Sequence, residues 1–320
     1  MKKHLFFVLF IVLPGLTAAV PARAFDYQIH GFAAQAYLLS EGNNYFGEST
    51  DGSHNFYEAA INGSANLGNG FLVSAQGLIR DAGRTDTGKA RLDYALIDWN
   101  AIQGVQTSAG IRAGRVKNAF GLYNDTRDVI FARPGILLPS VYFDGLGLRG
   151  ILFSSDGAQL YGTYSLGAHE LSLTYNYALD RDFTKKEREI LVGSSSPGAG
   201  PDEIEIEDLS FVQLMDSYDG GRVTVALSRA HARLDVEPSQ SFPIDAALKA
   251  NLYAVSLRYN AERYSLTSEY IYTRSETRST VLGNDKSSSD GGYVQGDYRL
   301  TPQWSIFARY DASFSNAHDR

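Results

Sequence analysis

The sequence predicts an all-β fold, an antiparallel up-and-down transmembrane β-barrel, and three observations predict it. Apolar and polar residues alternate with a period of two over many stretches, as in strands that show one face to lipid and the other to a lumen. Short and long connections alternate between these stretches, which is typical of membrane barrels. All seven prolines after residue 24 lie in connections, where no ladder hydrogen bond is lost.

The N-terminus has the features of a bacterial export signal. Two lysines precede an apolar stretch at 5–13, and an A-x-A cleavage site ends at Ala24. We therefore expect residues 1–24 to be a cleaved signal peptide and residues 25–320 to form the barrel. The apolar stretch is too short to span a membrane as a helix.

Charge and composition exclude several classes of protein. Loss of the three basic residues of the signal changes the formal net charge from −7 to −10, which argues against a nucleic-acid partner. The sequence has no Cys, so disulfides and thiolate metal sites are excluded. The 20 Tyr and 17 Phe suit the aromatic girdles of a membrane barrel. A soluble secreted β-sandwich would show the same alternation and stays open as an alternative.

Residues 57–67 give the clearest strand. Tyr57 and Ile61 fall on one face of this stretch, and Glu58 falls on the other. Its length matches a membrane-spanning strand of about 9–11 residues, whereas strands of soluble proteins usually have about five or six. A glycine-rich turn follows, and a return strand begins at residue 71.

The same alternation predicts thirteen strands. They are 27–38, 57–67, 71–80, 90–99, 107–116, 158–166, 170–179, 209–216, 222–234, 250–259, 263–274, 291–300 and 304–314. We expect long outside loops at 39–56, 81–89, 117–157, 180–208, 235–249 and 275–290. Strand 90–99 is imperfect, because Asp98 interrupts the apolar face. That face carries Leu92, Tyr94 and Leu96, and a β-bulge would explain the interruption.

The stretch 117–156 is the longest one without a strand pattern. It carries many apolar side chains, among them Phe120 and Leu138, interleaved with aspartates and arginines. A loop this long is usually functional or disordered, and this one has too much apolar surface to stay free in water. We therefore expect it to fold back into the lumen of the barrel and to narrow the pore.

The stretch GIRAGRVKNAFGLYNDTRDVIFARPGILLPSVYFD at 110–144 resembles the strand and third loop of Gram-negative outer-membrane porins, and the strand pattern extends this resemblance over most of the chain. The resemblance implies a homotrimer in the bacterial outer membrane, among its lipid and lipopolysaccharide. It also implies about 16 strands and an aromatic C-terminal residue. This chain ends NAHDR after an odd, thirteenth strand, so we expect a sequence that is truncated at its C-terminus.

The predicted pore constriction consists of Arg80, Arg91, Arg112, Asp125, Arg127, Asp128 and Arg133. Alternation turns the first three arginines to the inner face of consecutive strands, where we expect them to face the two aspartates of the loop across the narrowest point. A narrow pore focuses the field of such charges. Alternatively, the arginines pair with Glu58, Asp93 and neighbouring acids and brace the wall. The two interpretations are compatible, since rings of charge both brace and select.

The remaining motifs predict no cofactor and no metal. Residues 145–150 match G-x-G-x-x-G, but a β-like stretch follows where a dinucleotide site needs a helix. The six His are scattered, without an i, i+4 pair that would suit zinc. Five acids between Asp202 and Asp208 are interpreted as a solvated outside loop or, alternatively, as a divalent-cation site that bridges to lipopolysaccharide.

The sequence therefore predicts a channel for passive diffusion of small hydrophilic solutes or ions, constricted by the loop 117–156, and not an enzyme. A non-conducting barrel that acts as an adhesin or structural anchor is the alternative. A barrel lipase would need a Ser beside a His on the outer wall, and no motif of this chain places them together.

Overall fold

The structure is a computed structural model and describes residues 26–42, 49–82, 86–133, 135–142, 152–179, 183–191, 201–240, 242–281 and 283–315. These residues form one antiparallel sheet in which each strand pairs with its neighbours in sequence. The strands are β1 (Asp26–Leu38), β2 (Ser53–Gly68), β3 (Phe71–Ala82), β4 (Asp86–Gln103), β5 (Thr107–Lys117), β6 (Ser154–Leu166), β7 (His169–Ala178), β8 (Glu203–Tyr218), β9 (Val223–Glu237), β10 (Ala246–Asn260), β11 (Tyr264–Ser279), β12 (Gly283–Arg299) and β13 (Ser305–Phe314). The predicted signal peptide, residues 1–24, lies outside the described residues.

All thirteen predicted strands are present, and they follow the predicted up-and-down order. Our prediction of long connections at 81–89 and 275–290 is wrong, because the strands extend into both stretches. Strand β3 continues to Ala82 and β4 begins at Asp86, while β11 stays paired with β12 as far as Ser279. The ends of these strands are mostly polar on both faces, so the backbone ladder continues where the apolar alternation stops.

The two faces of the sheet differ sharply in polarity. On the outer face the side chains are apolar and exposed, as at Ile61, Leu160 and Leu257, which are 50% to 63% exposed. On the inner face they are mostly polar and buried, and Glu58 and Glu269 are each 1% exposed. A continuous exposed apolar surface of this kind marks a partner or a membrane rather than water.

Strand β4 has the irregularity that its sequence suggested. The register shifts at Asp93, which is the extra residue of a β-bulge between Leu92 and Tyr94. Alternation reverses beyond the bulge, because one added residue moves every later side chain to the opposite face. Tyr94 and Asp98 therefore lie on the inner face, and our assignment of Tyr94 and Leu96 to the outer face is wrong.

The acidic run 202–208 is mostly strand and not an outside loop, because β8 begins at Glu203. Ile204 and Ile206 are each 2% exposed on the inner face, and the alternating Glu203 and Glu205 point to the outer face. Burial of the two isoleucines thus explains the alternation of the run. Among the described residues, no group of three or more His, Asp or Glu side chains is arranged to hold a metal ion.

Helix is scarce in the described part of the chain. Helix α1 (Lys185–Leu191) begins with a capping box, in which the Thr184 N–H donates to Glu187 Oε2 at 2.9 Å and the Glu187 N–H donates to Thr184 Oγ1 at 3.4 Å. Two short 3-10 turns, Ile130–Ala132 and Ser140–Tyr142, lie between β5 and β6. None of the described helices is long and apolar enough to cross a membrane.

The backbone of β4 approaches Gly114 so closely that we expect a single added methyl group to destabilise the fold. Gly114 on β5 has a φ of +117°, and an added Cβ would lie 2.4 Å from the Ala95 carbonyl oxygen. We expect Gly114→Ala to lower the free energy of unfolding by about 1–3 kcal/mol, measured by urea titration in lipid vesicles.

Gly77 on strand β3 is the matched control, because an added Cβ there meets no atom within 4 Å and its φ is not positive. Gly77→Ala should change the free energy of unfolding by less than about 0.5 kcal/mol. Equal losses in the two variants would contradict the described pairing of β4 with β5.

Candidate functional site

The loop between β5 and β6, here called the third loop, lies against the inner face of the sheet. Its first residues are held by β8 and β9: the Gly121 N–H donates to Ser228 Oγ at 3.0 Å, and Gln213 Nε2 donates to the Gly121 carbonyl at 2.7 Å. Gly121 has a φ of +62°, which suits a glycine in a turn this close to other atoms. The loop therefore begins with a fixed bend towards β8 and β9.

A buried carboxylate on β11 holds the next part of the third loop. Glu269 accepts from the Leu122 N–H at 2.8 Å and from the Tyr142 hydroxyl at 2.6 Å. Its remaining donors are the hydroxyls of Ser256 at 2.6 Å and Tyr293 at 2.7 Å. A carboxylate that accepts four hydrogen bonds can stay buried, because each oxygen has recovered the partners that water supplied.

Tyr142 ties the two ends of this part of the loop together. Its hydroxyl donates to Glu269 and accepts from the N–H groups of Leu122 at 2.9 Å and Tyr123 at 3.1 Å. Burial and the nearby Glu269 carboxylate raise the pKa of Tyr142 well above its ordinary value. The hydroxyl therefore keeps its proton and remains a donor to Glu269 throughout the physiological pH range.

The apolar side chains of the third loop are covered by the wall. The loop contributes Phe120, Leu122, Tyr123, Leu138, Val141 and Tyr142 to one buried cluster, and the strands contribute Phe211, Ala226, Ala230, Ala254, Ile271 and Tyr293, among others. Burial of a large apolar side chain stabilises by about 1.5–3 kcal/mol. This packing explains why the stretch 117–156 carries so many apolar residues although it has no strand pattern.

Farther along, the loop contacts strands from both ends of the sheet. Arg133 forms a short ion pair with Glu58 on β2. The Ser140 N–H donates to Asp311 on β13 at 2.8 Å, and Arg309, also on β13, donates to the Leu137 carbonyl at 3.0 Å. One loop that touches β2, β9, β11 and β13 requires the sheet to curl around it.

Two of the predicted arginines are paired within the wall. Arg80 is 2% exposed, and its Nε lies 3.2 Å from Glu58 Oε2 and its Nη1 lies 2.5 Å from Asp86 Oδ2. Arg91 pairs with the other oxygen of Asp86, and its Nε lies 3.5 Å from Asp93. These contacts support the alternative in which wall arginines brace neighbouring strands.

Arg112 lies on the inner face and is more accessible to solvent. Its side chain is 36% exposed, donates to Asp98 at 2.9 Å and to Gln159 at 2.7 Å, and lies over the Tyr161 ring with its guanidinium carbon 4.3 Å from the ring centre. Arg112 also acts electrostatically on Asp125 of the third loop. The structure thus brings these two predicted site residues near each other.

The loop aspartates face a lysine that sequence analysis left out. Lys117 Nζ lies 3.3 Å from Asp128 Oδ1 and 5.0 Å from the centre of the Tyr94 ring. Burial raises the pKa of Asp125, and Lys117 and Arg112 act in the opposite direction. Lys117 is the last residue of β5, so its place at the root of the loop was the available signal.

The two predicted loop arginines are both buried. Arg127 is 1% exposed, donates to the Tyr142 carbonyl at 3.3 Å and lies over the Phe153 ring at 5.9 Å. Arg133 is 9% exposed and pairs with Glu58, so that Glu58 bridges Arg133 and Arg80. Both loop arginines therefore attach the loop. The G-x-G-x-x-G motif at 145–150 lies outside the described residues.

The fold is similar to that of solved Gram-negative outer-membrane porins. The anion-selective porin from Comamonas acidovorans matches with a TM-score of 0.50 and 13% sequence identity, over 92% of this chain and 81% of that chain. OmpT of Vibrio cholerae, in its trimer form, matches at a TM-score of 0.44 and 12% identity, over 90% and 88% of the two chains. Salmonella typhi OmpF in complex with daunomycin matches with a TM-score of 0.44 and 10% sequence identity, over 89% of each chain.

No protein-family model and no curated protein matches the sequence. At such low identity the likeness to solved structures concerns the fold alone. At that level the match to the Comamonas acidovorans porin confirms the predicted porin-like fold, over 92% of this chain.

The Glu269 contacts predict that one carboxylate fixes the start of the third loop. In Glu269→Gln an amide replaces an acceptor oxygen, so at least one of the four donors loses its charged partner. We expect hydrogen exchange at the Leu122 amide to accelerate about tenfold or more, measured by mass spectrometry on the folded protein.

Glu276→Gln is the matched control on the same strand. Glu276 lies on the outer face with a side chain that is 29% exposed, and its partners are Arg274 and Lys286. Exchange in the third loop should match that of the wild type in this variant. A third loop that exchanges at the wild-type rate in Glu269→Gln would show that Glu269 does not hold it.

Proposed function

We propose that the chain is an outer-membrane porin, a channel for passive diffusion of small hydrophilic solutes or ions that is constricted by the loop 117–156. One observation carries the proposal: a curled sheet has an apolar exposed outer face and a polar inner face, with a charged loop laid across the inner face. Such a distribution suits lipid outside and water inside. The likeness to porin folds supports it.

The outer face supports a place in the bacterial outer membrane. Exposed Leu, Ile, Val and Tyr side chains cover the outer face of most strands, while charged side chains on the inner face are paired or solvated. A soluble β-sandwich would have to leave this apolar surface in water. The predicted signal peptide at 1–24 would provide export, and lipid and lipopolysaccharide would then surround the wall.

In the proposed mechanism, the pore selects solutes only by their size and charge. The third loop limits the width of the pore, and the field at its tip is set by Arg112 and Lys117 on the wall and by Asp125 and Asp128 on the loop. A low-dielectric wall strengthens such a field well beyond its value in bulk water. No covalent step and no cofactor is required, so we propose that the protein is not an enzyme.

A non-conducting anchor is the second candidate. The observation that favours it is the density of contacts by which the third loop is attached to β2, β9, β11 and β13. A loop attached this firmly could also serve to close the barrel. Electrical recordings separate the two functions, because only a porin gives steady open steps.

The deciding experiment is single-channel recording of the purified protein in planar lipid bilayers. We expect steady open steps in KCl, and silence at matched protein density would support the anchor. Under a salt gradient, Arg112→Glu should shift the reversal potential towards cation selectivity, because it reverses an accessible charge on the inner face of the sheet.

Arg274→Glu is the control for this experiment. Arg274 lies on the outer face of β11 with 57% of its side chain exposed, so its reversal changes the total charge equally without entering the pore. Equal shifts of the reversal potential in the two variants would contradict a place for Arg112 in the constriction.

We propose further that the protein assembles as a homotrimer. On the outer face of β1 to β5, a shallow apolar groove of about 610 Å³ is floored by small residues such as Gly63, Ala75 and Ala113 and flanked by Ile29 and Ile97. Small residues let the backbones of two membrane proteins approach closely. This region therefore offers a surface for another subunit.

A large side chain in the groove should break the assembly. We expect Ala75→Trp to convert the trimer to monomers in detergent, measured by light scattering after size-exclusion chromatography, without loss of conductance per channel. Leu257→Trp places the same side chain on the outer face of β10 and should leave the trimer intact. Trimers in both variants would contradict the groove as the interface.

A further inference from the structure

A cavity of about 410 Å³ opens on the inner side of the sheet at the turns that join β10 to β11 and β12 to β13. It lies beside Tyr123 of the third loop and is separate from the contacts of Asp125 and Asp128. Its volume falls within the range of small-molecule sites, about 300–1,000 Å³. The turns that surround it are short, so the cavity lies at the end of the sheet opposite the root of the third loop.

Three arginines line this cavity at two depths. Arg258 on β10 lies at its base, partly buried, with its guanidinium carbon 4.9 Å from the centre of the Tyr123 ring. Arg263 and Arg299 lie at the mouth and are exposed. Arg258 and Arg299 follow the inner-face alternation of β10 and β12, and Arg263 lies in the turn before β11. All three line the same space.

The base of the cavity contains a hydrogen-bonding group that has no partner among the described residues. Arg258 Nη2 is buried and has no hydrogen-bond partner among the described residues. Thr267 pairs in register with Arg258 and lines the cavity beside it. A buried guanidinium nitrogen without an acceptor is costly unless a solvent molecule or a ligand supplies one.

The charge of the lining favours an anion. Against Arg258, Arg263 and Arg299 stand Glu262 and Asp297, and the fourth lining arginine, Arg133, is already paired with Glu58. Asp297 accepts from Gln295 at 2.9 Å and from Ser265 at 3.2 Å, which holds its carboxylate against the wall. Positive charge therefore prevails at the centre of the cavity.

We infer that this cavity is a binding site for a small organic anion, in which the guanidinium of Arg258 holds a carboxylate of the solute and the Tyr123 ring covers one side. The inference rests on the proposed diffusion function, which brings such solutes to the cavity. A planar guanidinium matches a carboxylate with two parallel hydrogen bonds. Arg263 and Arg299 at the mouth draw the anion inward.

The experiment is a calorimetric titration of the purified, detergent-folded protein with succinate. The wild type should bind succinate, and Arg258→Gln should weaken the affinity about tenfold or more. Arg258→Lys keeps the charge but lacks the planar guanidinium that forms two parallel hydrogen bonds. Its affinity should therefore lie between those of the wild type and Arg258→Gln. Arg274→Gln, on the exposed outer face of β11, is the matched control and should bind like the wild type.

The outcomes separate this site from the channel function. Binding reports the site even if the protein never conducts, and conductance in KCl reports the channel even if succinate does not bind. Absence of succinate binding by the wild type, equal affinity in Arg258→Gln, or an equal loss in Arg274→Gln would each overturn the site. Binding of inorganic phosphate in place of succinate would overturn the assignment of a carboxylate. Circular dichroism and heat-modifiable gel migration show whether each variant is folded. If Arg258→Gln does not fold, Arg258→Lys serves as the test variant.

Discussion

The need of buried carboxylates for hydrogen-bond donors shapes the interior of this protein. Glu58 on β2 and Glu269 on β11 are each 1% exposed, and a carboxylate at such depth is strongly destabilising without donors. The third loop supplies some of these donors, through Arg133 for Glu58 and through Leu122 and Tyr142 for Glu269. The path of the loop is therefore coupled to charges on the wall, and removal of either carboxylate would leave buried donors behind.

The same pairing decides which charges a solute could meet. Arg80 is surrounded by Glu58 and Asp86, and Arg91 shares Asp86, so much of their field is cancelled within a few ångströms. Arg112 keeps about a third of its side chain exposed, although it is paired with Asp98. The net charge of this part of the sequence is therefore a poor guide to selectivity, because selectivity follows the accessible charges.

Much of the fold was predictable because alternation is a direct consequence of strand geometry. Every strand was found, but its ends were missed wherever the apolar face gives way to polar residues, as beyond Arg274 on β11. The phase of β4 was lost at Asp93, since a bulge adds one residue without a distinct sequence signal. Partners of the site residues were harder to foresee. Glu269 is 147 residues from Leu122, and only the curl of the sheet brings them together.

The two sides of the loop tip have different chemistry, and this follows from two nearby residues of the loop. Asp125 is influenced by Lys117 and Arg112 on β5, whereas Tyr123, two residues earlier, contacts Arg258 on β10. An anion that leaves the neighbourhood of Asp125 and Asp128 would thus meet a face where the guanidinium of Arg258 lies over an aromatic ring. Because the loop is fixed between these faces by Glu269, the two environments keep a constant separation, and a solute would experience them in sequence rather than as one averaged field.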